Sequence, residues 1–391
     1  MKKSTKYLLI IAVFAIVVGA VGVGIGIGQV NEDRLNVDLA LKKDIEELTL
    51  RIDNTSEIDL HINQSETDHM TISDRFMPTN ASYEFNEKGK TAELIFKFEK
   101  NNSLPEGVQL GISSGNELEV TIPDSVKKLH IQSDSNQQTY LNISQLALDK
   151  LSMGVTKTES HLYDTAIQEL EVTADSGSFH LNDSNVTGKS TIKGKSAHIV
   201  LERSTLAEDA QITSQSGDIQ LWNVTAKDLS LENNKGDTTL EEIKGPVKVT
   251  SETGDIYYAA SKLTHDVELT SKNGKVISVL RDKAKSQTKI QVKNSPDVLL
   301  FNEEKMTVDN EKAEHTMTLQ SDLGIVRVYE LLPIGYDEET GEIVLDKDAD
   351  DETIDHYRID GEDETAMENS RIDFHNEYWP NYQIFEIYYH Y

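Results

Sequence analysis

The chain repeats itself about every twenty residues, and this recurrence constrains its fold more than any other feature. Six stretches, "ADSGSFHL", "GKSAHIVL", "SQSGDIQL", "NNKGDTTL", "SETGDIYY" and "SKNGKVIS", each put a polar corner ahead of alternating apolar residues. Aligned on Gly177, Ala197, Gly217, Gly236, Gly254 and Gly274, the units are spaced 20, 20, 19, 18 and 20 residues apart. Two places after the corner stand Phe179, Ile199, Ile219, Thr238, Ile256 and Val276. Four places after it stand Leu181, Leu201, Leu221, Leu240, Tyr258 and Ser278. Five places before it stand Val172, Ile192, Ile212, Leu231, Val249 and Leu269. Alternation with period two on both sides of the corner predicts two short strands per unit.

Paired-helix repeats are longer than this period, and the L-x-x-L-x-L spacing of leucine-rich repeats is missing. A meander of hairpins would not need one superposable inner set. The pattern predicts a β-solenoid, in which each coil stacks on the last and an apolar ladder fills the inside. The corner glycine then serves a positive φ and a close backbone approach, and the neighbouring Asp bonds the amides of the turn. A calcium-binding corner is the rival reading, but there is one Gly and one Asp per unit, and Lys275 replaces the Asp in the last. Weaker units flank the clear ones. "HLYDTAI" echoes "HLNDSNV", "KIQVKNSPDVLLF" follows the last Gly unit, and "MTLQSDLGIVRVYE" reads as a closing coil. "YEFNEKGKTAELIFKFEK" reads as a hairpin turning at Lys88-Gly89, part of a cap on the first edge.

The chain begins with Lys2, Lys3 and Lys6, followed by an uncharged run over 7–30, long enough to cross a bilayer. The positive-inside rule puts 1–6 in the cytoplasm and the rest outside. A cleaved signal peptide ending near Val18-Gly19-Ala20 is the alternative. Gly22 with Gly26, and Gly24 with Gly28, have the small-residue spacing of a membrane-helix dimer seam.

With 391 residues, 37% of them hydrophobic, the chain is lean for a compact globule but adequate for a repeat. A net charge of −30 argues against nucleic acid and favours a cationic or neutral partner. There is no cysteine, so disulfides, thiolate metal sites and cysteine nucleophiles are excluded. GxSxG, HExxH, P-loop and dinucleotide fingerprints are absent, and no catalytic residue is assigned. His161 with His180, and Asp164 with Asp183, recur at repeat spacing, so stacking would bring two His and two Asp together.

Between Asp337 and Asp373 sixteen acids face only Lys347, Arg358 and Arg371. Asp346, Asp348 and Asp350 match the start of an EF-hand loop and are the candidate metal ligands, for calcium. Asp351 and Tyr357 stand where Gly and Glu are needed, so a solvated acidic segment is the default. The ending, "EYWPNYQIFEIYYHY", reads as a terminal strand or an exposed aromatic patch.

The units "VTSETGDIYY" and "ITSQSGDIQL", with "LEVTIPDSVKKLHIQS" upstream, resemble a family of bacterial extracytoplasmic β-strand-repeat proteins labelled "putative adhesin", a domain of unknown function. The resemblance covers 48–330 and carries no catalytic motif. It implies a right-handed, single-stranded β-solenoid, usually in Gram-positive bacteria, with some relatives tied to envelope stress and antimicrobial-peptide resistance. The expected layout is thus an all-β protein: a tail over 1–6, a transmembrane helix over 7–30, a juxtamembrane linker over 31–47, the solenoid over 48–330, and an acidic segment over 331–391 ending in an aromatic strand. The expected function is non-enzymatic binding or adhesion at the outer face of the cell membrane. Expected partners are an envelope polymer, a cationic peptide or a membrane protein. A polysaccharide-active enzyme and a calcium-dependent structural module are the alternatives.

Overall fold

The computed structural model describes residues 35–42, 45–54, 57–75, 81–98, 116–134, 137–336, 343–345 and 356–359. The chain divides into two compact units, Met1–Ile167 and Gln168–Tyr391. Both are built of strands. Among the described residues the one helix, α1 (Asp282–Ser286), is a little over a turn long, and none is long and apolar enough to cross a membrane. The expected helix over 7–30 lies outside the described residues.

The first unit contains β1 (Asn36–Ala40), β2 (Glu47–Asn54), β3 (Ile58–Ser65), β4 (His69–Asp74), β5 (Ala81–Lys88) and β6 (Thr91–Phe98). It continues with β7 (Asn116–Pro123), β8 (Lys128–Ser133), β9 (Thr139–Ser144), β10 (Ala147–Val155) and β11 (Thr158–Tyr163). Parallel pairing gives the orders β6-β2-β8-β10 and β7-β3-β9-β11. The β6 and β7 strands therefore lie outside β2 and β3, and the β5–β6 hairpin caps this edge as expected. Antiparallel strands close this end: β5 on β6, β4 on β7 and β1 on β4. The β5–β6 hairpin turns at Gly89 (φ +61°), where the sequence predicts it. β1 falls within the stretch expected to be a linker.

The second unit holds β12 (Ala166–Asn182), β13 (Asn185–Val186), β14 (Ser190–Glu202), β15 (Thr205–Ser214), β16 (Ile219–Trp222) and β17 (Thr225–Asn233). Then come β18 (Thr238–Glu241), β19 (Val247–Ser251), β20 (Ile256–Ala260), β21 (Val267–Ser271) and β22 (Val276–Arg281). After α1 follow β23 (Thr288–Asn294), β24 (Asp297–Leu300), β25 (Thr307–Val308), β26 (His315–Ser321), β27 (Ile325–Tyr336), β28 (Ile343–Leu345) and β29 (His356–Ile359). Each coil contributes one strand to each of two long parallel stacks, and a short third ladder runs through Asn185, Thr205, Thr225 and Lys244. One long stack runs through Ile192, Ile212, Leu231, Val249, Leu269 and Leu319, the other through Phe179, Ile199, Ile219, Thr238, Ile256, Val276 and Val326. The register of the structure is the register of the glycine alignment, and the side chains in it are buried. Burial of each such aliphatic group is worth about 1.5–3 kcal/mol. Thr238 and Ser278, the two polar intruders in the sequence pattern, are fully buried with the rest. Ser278 sits beside the large ring of Tyr258.

The coil order departs from chain order at the far end. β26 and β27 lie directly on β21 and β22, and β23 and β24 lie beyond them. "KIQVKNSPDVLLF" is thus the outermost coil, and the closing "MTLQSDLGIVRVYE" is inserted beneath it. The corner chemistry accounts for the inversion. Only the later segment has the Ser321-x-x-Gly324 corner that fits against Gly274. The earlier one turns through Pro296, which has no amide to donate.

Candidate functional site

Two kinds of corner recur along the second unit, and they differ in chemistry. At the first, a Cβ on Gly217 would lie 1.9 Å from the carbonyl oxygen of Ala197. On Gly236, Gly254, Gly274 and Gly324 it would lie 1.9 to 2.3 Å from that of the glycine one coil earlier. From the sequence, a positive φ as well as close approach is expected of these glycines. Only Gly177 of the corner set has one (+97°); at the others the carbonyl beneath is the sole reason for glycine. Three residues earlier stands a buried polar side chain that sequence reasoning missed. The hydroxyls of Ser214, Ser251, Ser271 and Ser321 accept the amides of Gly217, Gly254, Gly274 and Gly324 at 2.9–3.0 Å. Asn233 does the same for Gly236 at 3.2 Å.

The corner aspartates act between coils. Asp218, Asp237 and Asp255 each accept, through Oδ1, the backbone amide of the equivalent residue in the next coil, at 2.9, 2.8 and 2.7 Å. Stacking raises the carboxyl of Asp237, first by partial desolvation and then by repulsion from Asp255 and Asp218. His198, 3.5 Å from Asp218, hydrogen-bonds it, holds its carboxyl down and is itself raised by it. This ladder supports the structural reading of the Gly-Asp pair. Among the described residues the corner carboxylates form no group of three within reach of one ion.

The second corner has left-handed residues that are not glycine: Asp183, Arg203, Asn223 and Glu242, with φ between +45° and +51°. Their amides donate to the carbonyls of Glu202, Trp222, Glu241 and Ala259 at 2.9–3.1 Å. Arg203 holds Asp183 through two bonds of 2.7 and 2.8 Å and also bonds Glu202, and the Glu242 carboxylate accepts from the amide and hydroxyl of Ser261 at 2.7 and 2.8 Å. Beside it Glu241 has a buried Oε1 without a protein partner, and burial, with Glu242 adding repulsion, pushes its carboxyl up to about 7.

The first unit presents a different constellation on the outer face of β7, β3, β9 and β11. Alternation puts Asp59 and His61 of β3 on one face. Register sets Glu117 and Tyr140 on either side of Asp59, and Glu119 and Asn142 on either side of His61. Ligand atoms of Asp59, His61 and Glu117 all lie within 4.8 Å of one another, each residue half-buried. Asn142 donates to Asp59 Oδ1 at 2.7 Å, His61 Nε2 lies 3.2 Å from the same oxygen, and Arg75 lies 2.6 Å from His61 Nε2. Burial pushes the Asp59 carboxyl up, but His61, Asn142 and Arg75 outweigh it and hold it below the usual range. On β11, burial lowers the imidazole of His161 against the pull of Glu159 and Asp59, and its ring stacks on Tyr163 at 6.0 Å. The Asp-x-His spacing is visible in the sequence; that Glu117 is its neighbour is not.

The family profile of Toastrack DUF4097 matches residues 45–328. The chain belongs to the Toastrack DUF4097 family. No curated protein matches it at a significant level. Solved structures that align with it include a "putative lipid binding protein" from Parabacteroides distasonis, at 10% identity and a TM-score of 0.32 over 76% of this chain and 98% of that one. A "putative adhesin" from Bacteroides fragilis aligns at 12% identity and a TM-score of 0.27, over 75% of this chain and 96% of that one. A "putative cell adhesion protein" from Clostridium sporogenes aligns at 10% identity and a TM-score of 0.20, over 76% and 99%. The family assignment rests on the profile match alone.

Within this Toastrack chain the residues singled out from sequence lie as follows. Asp346, Asp348 and Asp350, the candidate calcium ligands, lie outside the described residues, as do Gly22 and Gly26. His161 and Asp164 belong to the first unit, where His161 neighbours Asn142 and Asp164 is a left-handed corner. His180 and Asp183 belong to the second, where His180 neighbours Val200 and Asp183 is held by Arg203. A cavity of about 230 Å³ in the second unit is lined by Lys285, Phe301, Glu303, Lys305 and Glu330. Its charges are matched: Lys285 bonds Glu330 and lies 4.6 Å from the Phe301 ring centre, and Lys305 bonds Glu303 at 2.8 Å.

Proposed function

We propose that this Toastrack chain is a non-enzymatic binding module displayed outside the cell. In this reading 7–30 is the membrane anchor and the coils wind right-handed beyond it. Its partner is an extended envelope polymer or a cationic peptide, and the context is cell-envelope interaction or stress. The observation that carries the reading is a continuous outward row in the second unit: Glu171, Thr191, Gln211, Ser230, Lys248, Glu268 and Thr318. Seven parallel strands present it over roughly 30 Å at the strand spacing of about 4.8 Å. Such a row offers repeated hydrogen-bonding groups to a repeating ligand. The net charge of −30 draws cations to the whole chain, with an attraction that salt weakens. In the cavity described above, the acids and bases neutralise one another pairwise, an arrangement suited to holding structure rather than to moving protons.

The test is co-sedimentation of the full chain with purified cell-wall polymer and, separately, retention on an immobilised cationic peptide at low and high salt. A variant carrying Thr191→Ala, Gln211→Ala and Ser230→Ala should lose polymer retention while keeping its melting temperature. Retention of neither probe at low salt would end this reading, and unchanged polymer retention by the variant would remove the row from it. Protease treatment of intact cells tests display, since the chain should be cleaved without lysis.

A further inference from the structure

We propose that Asp59, His61 and Glu117 form a binding site for a divalent transition-metal ion, zinc foremost, on the outer face of the first unit. This does not depend on the binding role proposed for the second unit. The site is made by register. Asp59 and His61 project from the same face of β3, and β7 runs beside it with Glu117 opposite Asp59. One ligand atom from each lies within 4.8 Å of the other two. Small side-chain rotations bring such atoms to the ~2.0–2.2 Å metal distances of nitrogen and carboxylate ligands. One imidazole and two carboxylates are a mixed nitrogen and oxygen set, which suits zinc or manganese over calcium or magnesium. Two carboxylates with a neutral imidazole balance the charge of a divalent ion and leave a coordination position open for water or a partner's donor atom.

The neighbours complete the arrangement. Asn142 holds Asp59 Oδ1 from β9 at 2.7 Å, the kind of outer contact that orients a ligand carboxylate. Asn63 holds Glu119 at 2.9 Å, which occupies the other carboxylate of β7 on this face. Arg75, just past the end of β4, puts its guanidinium 2.6 and 2.9 Å from the two ring nitrogens of His61. A guanidinium and a metal ion cannot share that imidazole. Arg75 is therefore the competitor that a metal must displace, and removing it should strengthen binding.

The full chain, stripped with a chelator, is titrated with zinc chloride by calorimetry alongside a thermal melt. The expected result is one site bound to the wild type with a rise in melting temperature. His61→Ala and Asp59→Asn should each weaken it by about 100-fold, and Asn142→Ala by about 10-fold, at the low end of outer-contact effects. Arg75→Gln should tighten it by about 5- to 10-fold, a gain that misfolding cannot mimic. A variant with Asp346, Asp348 and Asp350 all changed to Asn should bind as the wild type does. Equal zinc binding by wild type, His61→Ala and Asp59→Asn would overturn the proposal. So would the absence of binding at millimolar zinc in both the wild type and Arg75→Gln, which would leave the cluster an ion-pair network.

Discussion

At Gly254 the backbone is not left-handed, yet a methyl group would lie 1.9 Å from the carbonyl oxygen of Gly236. At Glu242, a different corner in the preceding coil, φ is +50° and a long side chain reaches Ser261 at 2.7 and 2.8 Å. The residue with the freedom to turn left-handed does not use it, and the residue without that freedom does. Glycine at the first corner is demanded by a neighbour's carbonyl one coil away, a non-local requirement. At the second corner the strain of a left-handed residue, on the order of 1–2 kcal/mol, is offset by an inter-coil amide bond and by side chains bridging coils. The first corner therefore sets the stacking distance, and the second is free to vary in sequence.

The largest effect expected from this contrast is at the first corner. Gly254→Ala should lower unfolding stability by about 3 kcal/mol or more, since the clash is with backbone that cannot rotate away. Gly154→Ala, with nothing within 4 Å of the added carbon, should change it little. Urea midpoints at constant slope measure both. At the second corner, the raised carboxyl of Glu241 means that its ionised form opposes folding. The sign follows from linkage: a carboxyl near 4.5 when unfolded and about 7 when folded lets stability fall as pH rises through that interval. Glu241→Gln should flatten this fall and gain on the order of 1–3 kcal/mol at pH 8. Equal pH profiles for the two proteins would show the carboxylate to be solvated.

Ser271→Ala removes a hydroxyl that accepts from Gly274 N at 2.9 Å and donates to Gly254 O at 3.0 Å. It leaves a buried amide unpaired, and the expected loss is about 1–3 kcal/mol. The smallest effect belongs to Gln145→Gly, an exposed left-handed position of the first unit with φ +54°. Relief of strain and the added entropy of the unfolded chain oppose each other there, so stability should change by less than about 1 kcal/mol. A loss as large as that at Gly254 would erase the distinction between the corners.

Legibility in the sequence follows the same division. The inner ladder was readable because period-two alternation and one recurring corner residue fix both face and register, even through Thr238 and Ser278. The Ser-x-x-Gly pairing was equally present in the string at Ser214, Ser251 and Ser271, but its meaning lies in a hydrogen bond that no periodicity reports. The left-handed corners were invisible, because Asp183, Arg203, Asn223 and Glu242 share a dihedral angle and no side-chain type. The displaced coil of the second unit was illegible for another reason. Strand β23 alternates like its neighbours, and which lies outermost depends on corner fit. The Asp59–His61–Glu117 group joins both cases: half is a two-residue spacing, and half is a register between strands distant in the chain.

Consecutive coils of the second unit stack one strand apart in the register set by the glycine corners. The chain has no cysteine, so engineered pairs report on it without background. Gln211 and Ser230 are exposed register partners on adjacent coils, and Lys248 lies one coil further in the same row. With a spacing of about 4.8 Å per strand, cysteines at 211 and 230 fall within disulfide reach, whereas those at 211 and 248 stand about 9–10 Å apart, beyond it. Mild oxidation should cross-link the first pair nearly completely and the second hardly at all. Cross-linking of the second pair in preference to the first, or of neither, would contradict the stacked-coil account.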